Sequence, residues 1–234
     1  MIEKILLNLL WILPFLTVLF SIPIKENSPK LKRFHLASAG VVLLSSIYLL
    51  IQVFQNTISN TSSQIQLLYE TKLNWLNAIS AKYFIGIDAL SSMMLVLAAI
   101  IIFTGILATW RLEKGQKVFL GFFQILAASV YGVFISFDLV LFFVFYEMEA
   151  LCMYLLIAGY GSGNKDYGAK KLTLTLAIGS SMILAVFLGI YAETGTWNLI
   201  ELSKIALPES FQYYAFPILF LGFAVSSSLF PFHF

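Results

Sequence analysis

Seven apolar runs of about 20 residues divide this chain, over 5–24, 36–54, 89–110, 118–137, 139–158, 172–192 and 213–234. Each can cross a hydrocarbon core about 30 Å thick as a helix rising about 1.5 Å per residue. A segment in lipid must satisfy its own backbone polar groups, and these runs are too long for barrel strands, so helices are the predicted form. Composition agrees: 60% of the 234 residues are hydrophobic and 11% are charged, against about 25% charged in a soluble domain. The expectation is an all-α membrane protein, one transmembrane domain over 1–234 in contact with the lipid bilayer. The first run is too long for the apolar core of a signal peptide, and "FSIPIKENS" has no small-x-small cleavage site, so it is expected to be retained.

The basic residues orient the chain. Ten of the fourteen follow runs one, three and five: Lys25, Lys30, Lys32, Arg33, Arg111, Lys114, Lys117, Lys165, Lys170 and Lys171. Basic loops stay cytoplasmic, which puts the amino terminus outside. The 55–88 connection then also lies outside, and "NTISNTSSQIQLLYETKLNWLN" is polar enough for a surface hairpin or short strands. A net charge of +2 offers nothing to nucleic acid. One cysteine, Cys152, excludes an internal disulfide and a Cys-rich metal site. Gly159, Gly161 and Gly163 follow a membrane helix rather than a strand, so they are no nucleotide loop. His35 lies in a basic loop and His233 near the end, which leaves no bis-histidine haem site; no cofactor is expected in this chain.

Two acids interrupt the fifth run, "LVLFFVFYEMEALCMYLLIA". A carboxylate in hydrocarbon costs about 2.5 kcal/mol or more on insertion scales, so an intramembrane acid is first a functional candidate. Glu147 is the ninth residue of the run, close to the midplane. Glu149 is two residues on and points about 200° away around the helix, so the two cannot face one partner. Phe143, Leu151 and Tyr154 share the side of Glu147. Glu147 is either a protonatable relay group or a buried acid in a helix–helix hydrogen bond. Lys170 and Lys171 open the sixth run. Each either reaches for the interface with its stem along apolar surface, or approaches Glu147 and shifts its proton affinity. Asp88 and Asp138 stand at helix starts, placed for a cap or for chemistry. Tyr131, Tyr146 and Tyr160 are expected to pack rather than relay.

Three stretches then carry a resemblance: "FIGIDALSS", "SFDLVLFFVFYEMEALCMYLLIAGYGSGNKDYGAKKLTLTLAIGSSMIL" and "GFAVSSSLFPFHF". From about Phe84 onward the chain resembles the antiporter-like subunit M of bacterial respiratory complex I, the mitochondrial subunit 4 type, which is related to Mrp cation/proton antiporter chains. The resemblance implies a proton-translocating, non-redox membrane-arm subunit of NADH:quinone oxidoreductase, with no cofactor of its own and the other membrane-arm subunits as partners. It implies the bacterial inner membrane with an external amino terminus, and proton-transfer roles for Glu147, Lys171, Glu149 and His233, with Glu147 at the family's essential acid. The family lysine of helix seven is Ser226 here, and a family proline is Ser228; a serine can carry neither proton nor charge. The family continues through an eighth helix and a second, inverted repeat, so the chain is expected to be an amino-terminal half or fragment whose missing helices a second chain could supply. Two other functions stay open: an Mrp-type antiporter chain, and a structural or assembly piece that moves no protons.

Overall fold

The computed structural model describes residues 2–26, 28–59, 67–112 and 115–232. The helices are α1 (Ile2–Ser21), α2 (Pro29–Ser59), α3 (Ala89–Ala108), α4 (Gln116–Ile135), α5 (Leu139–Tyr160), α6 (Lys165–Thr194), the single turn α7 (Leu199–Leu202) and α8 (Glu209–Ser226). Two strands, β1 (Leu68–Leu76) and β2 (Ala81–Ile87), form a two-stranded sheet around a short 3₁₀ turn. Among the described residues six helices, α1 to α6, are long and apolar enough to span a membrane. The protein is a multi-pass, all-α membrane protein with one added hairpin.

Several boundaries move from the sequence expectation. Helix α2 starts at Pro29 rather than 36 and runs on to Ser59, taking His35 out of the basic loop and into a helix. Proline tolerates the first helical turn, where its missing N–H has no intrahelical partner to lose. Helix α6 starts at Lys165 rather than 172, so Lys170 and Lys171 lie inside it and do not open it. The seventh run, expected over 213–234, is helical only to Ser226. There the Leu229 N–H bonds the Ala224 carbonyl at 2.9 Å and the Ser228 N–H bonds the Val225 carbonyl at 3.2 Å. Ser228 sits at φ 54°, in the left-handed region. That pair of bonds around a left-handed residue is a Schellman stop, which satisfies the last carbonyls and turns the chain out of the helix.

The chain divides into two compact units, Met1–Lys72 with Ile85–Ser136, and Leu73–Phe84 with Phe137–Phe234. In the first, α2 packs on α3, and α1 packs on α4 and α2. Its buried apolar side chains include Leu7, Leu10, Leu49, Leu95 and Leu120. In the second, α6 packs on both α5 and α8. The α6–α8 crossing is close because both helices present glycine: a Cβ on Gly179 would lie 2.8 Å from the Gly222 carbonyl oxygen. Small residues at a crossing let two backbones approach, which is the main packing device where lipid removes the hydrophobic drive. A core of Ala81, Leu139, Ile183, Phe187 and Trp197 ties the hairpin tip to α5 and α6. The Trp197 indole N–H donates to the Ile79 carbonyl at 2.8 Å, and its ring stacks on Tyr191 with centroids 4.1 Å apart.

Candidate functional site

Helix α5 is set by its cap. The Asp138 carboxylate accepts from the Val140 and Leu141 N–H groups at 3.0 and 3.2 Å, and from the Lys82 N–H of the hairpin at 3.1 Å. Asp88 caps α3 in the same way, accepting from the Ser91 N–H at 2.7 Å. Both aspartates that sequence left between capping and chemistry therefore cap. Burial pushes the Asp138 carboxyl above the usual carboxylate range, against the opposing pull of the three amides and the Lys82 charge.

With α5 started at Leu139, the two acids fall on opposite sides of it. Glu147 lines a groove of about 680 Å³ with Leu151 and Tyr154 of its own helix and Thr173, Leu176 and Ala177 of α6. Its Oε1 is buried with no hydrogen-bond partner. Glu149 lines a second groove, about 380 Å³, with Tyr146 and with Ser226, Ser227 and Ser228 at the end of α8. The divergence expected from helical period thus becomes two separate grooves. Phe143, one turn before Glu147 on the same face of α5, also pairs its ring with Tyr146 at 6.4 Å. Tyr146 in turn stacks on Phe142 at 6.1 Å.

Ser226, at the family's lysine position, donates its hydroxyl to the Gly222 carbonyl at 3.0 Å, and it shares a groove with Glu149 rather than with Glu147. Lys171 is exposed on α6, and its carbonyl accepts from the Thr175 hydroxyl at 3.0 Å. It stands two residues before Thr173, the polar side chain of α6 in the Glu147 groove. Thr173 escaped sequence reasoning; its signal was its place three and four residues before Leu176 and Ala177, on one face of α6. His233 lies outside the described residues. Among the described residues no group of three or more His, Cys, Asp or Glu could hold a metal ion.

Residues 136–234 match the family described as NADH:quinone oxidoreductase/Mrp antiporter, transmembrane. Curated relatives extend the likeness over nearly the whole chain. NAD(P)H-quinone oxidoreductase chain 4 of Gloeobacter violaceus is 30% identical over 231 residues, 94% of this chain and 42% of the relative. NADH-quinone oxidoreductase subunit M of Rickettsia typhi is 27% identical over 238 aligned residues, 100% of this chain and 48% of the relative. The chain is thus similar to chain 4 and subunit M of these quinone oxidoreductases. It spans less than half the length of these relatives. The fold is shared with a chain of respiratory complex I from Thermus thermophilus solved with bound NADH, at TM-score 0.77 and 24% identity, over 97% of this chain and 45% of that one. It is also shared with a chain of an archaeal membrane-bound sulfane sulfur reductase, at TM-score 0.78 and 21% identity, over 99% of this chain and 46% of that one. The matched segment contains the glutamate pair, the α6 lysines and the serine-ended α8.

Proposed function

We propose that this chain is a proton-translocating, non-redox subunit in the membrane arm of an NADH:quinone oxidoreductase, with Glu147 as its proton-carrying acid. The observation that carries this reading is the buried, unpartnered Oε1 of Glu147, facing a groove within a membrane-spanning helix. An acid buried inside a membrane-spanning helix is by default a candidate member of a proton relay. A cation brought close to such an acid favours its charged form and so the release of a proton. Ser226 cannot be that cation, so the part falls to Lys171 or to a basic group on another chain. The redox chemistry and its cofactors belong to other subunits, and the complex sits in a bacterial inner membrane with this chain's amino terminus outside.

Glu147→Gln keeps shape and hydrogen bonding while removing titration. In the assembled complex it is expected to abolish proton translocation with assembly intact, whereas Glu149→Gln keeps most activity. Undiminished translocation in Glu147→Gln would leave Glu147 a structural acid. The neutral Ser226 favours a second function, a membrane-arm piece that holds its neighbours and moves no protons; in that case neither substitution changes translocation.

A further inference from the structure

The first unit contains polar side chains that the α5 acids do not explain. His35 on α2 is fully buried, at 0% exposure, and neither of its ring nitrogens has a hydrogen-bond partner. A neutral imidazole always carries one N–H donor and one acceptor, so both needs go unmet within the protein. Beside it the Gln124 amide of α4 donates to the His35 carbonyl at 3.2 Å. Gln116, about two turns earlier on α4, gives its N–H to the Leu112 carbonyl and leaves Oε1 unpartnered. Tyr131, 1% exposed, has a buried hydroxyl with no partner. Gln116, Gln124 and Tyr131 fall within about 80° of one another around α4 and extend about 22 Å along it. On the α1 and α2 sides, the Thr17 and Ser38 hydroxyls meet at 2.6 Å, both buried. The basic end of the unit adjoins this cluster: Lys117 of α4 donates to the Ile24 carbonyl at 3.0 Å.

A buried donor or acceptor without a partner is destabilising, because it gives up water and gains no bond in return. Four such atoms on three side chains, turned inward from two helices, are a heavy burden in a unit that has abundant leucine to put there. Internal water removes the burden, since a buried molecule typically makes about three bonds to groups of this kind. We propose that the interior of the α1–α4 unit binds a column of water, entered beside His35 and running along α4 toward Tyr131, which brings the imidazole into contact with water although no surface exposes it. The ligand is water itself, and the column stands apart from the role given to Glu147.

X-ray hydroxyl-radical footprinting of the full chain in lipid nanodiscs tests this, because radicals born from bound water label the side chains that hold it. After correction for intrinsic reactivity, His35 and Tyr131 should label at least about tenfold faster than Leu49 and Leu95, which are equally buried in the same unit. Labelling as slow as that of the two leucines overturns the proposal. His35→Leu supplies an independent reading. In a dry interior it removes two unmet groups and raises the melting temperature by at least about 2 °C. With water bound there it produces no rise.

Discussion

Asp138 holds three backbone amides at once, and its removal should loosen both the start of α5 and the hairpin above it. The side chain is 2% exposed and accepts from Val140, Leu141 and Lys82. Losing an N-cap costs about 1 kcal/mol, within about 0.5–2. The Lys82 N–H, left without its acceptor, adds about 1–3 kcal/mol. At neutral pH the carboxylate's own desolvation offsets part of this, so Asp138→Ala should lose about 2 kcal/mol, or about 4–8 °C in melting temperature for a chain of this size. Thermal unfolding in one detergent, with hydrogen exchange followed at the Lys82 amide, reads both effects. A melting temperature within about 1 °C of the unmodified protein, with Lys82 still protected, would refute the cap's double role. The pH dependence has a definite sign. Burial raises the folded Asp138 carboxyl above its unfolded value, which is about 3.9. A raised acid binds its proton more tightly when folded, so its contribution is fully present below the unfolded value and is lost as pH rises through the folded one. Asp138→Asn should therefore lose less stability than the unmodified chain as pH rises from about 4. Equal slopes would show that this carboxyl does not titrate in that window.

Other substitutions test the packing and the topology. Gly179→Ala places a Cβ against Ser226 and the Gly222 carbonyl; forcing α6 and α8 apart should cost about 1–3 kcal/mol, read as a lower melting temperature. Trp197→Phe keeps a ring near Tyr191 but leaves the Ile79 carbonyl without its donor, for a loss of about 1 kcal/mol and faster exchange at the hairpin tip. With the buried Cys152 replaced by Ala, Lys165→Cys should react with an impermeant thiol reagent only from the cytoplasmic face, and Asn77→Cys only from the outside. Labelling of whole cells at position 165 but not at 77 would invert the topology.

The membrane class, the helical form and the order of α1 to α6 follow from the sequence alone. Hydropathy over about 20 residues is a local property, and lipid admits one way to satisfy such a backbone. The opposite facing of Glu147 and Glu149 is equally local, because two residues around a helix always turn about 200°. Helix ends were less legible, since they depend on which partners the terminal groups find. Pro29 carried α2 back over His35, and a left-handed Ser228 stopped α8 short of the apolar residues that continue to Phe232. Only the tertiary structure decided what each acid faces: α6 brings Thr173 to Glu147, while the end of α8 brings Ser226 to Glu149. It also decided that His35, read from sequence as a residue of a basic loop, is enclosed beside Gln124. Period fixes a side chain's direction around its own helix, but its neighbours come from helices packed against it. Those crossings are set by close approaches such as Gly179 on Gly222, between residues far apart in the chain, which no local pattern records.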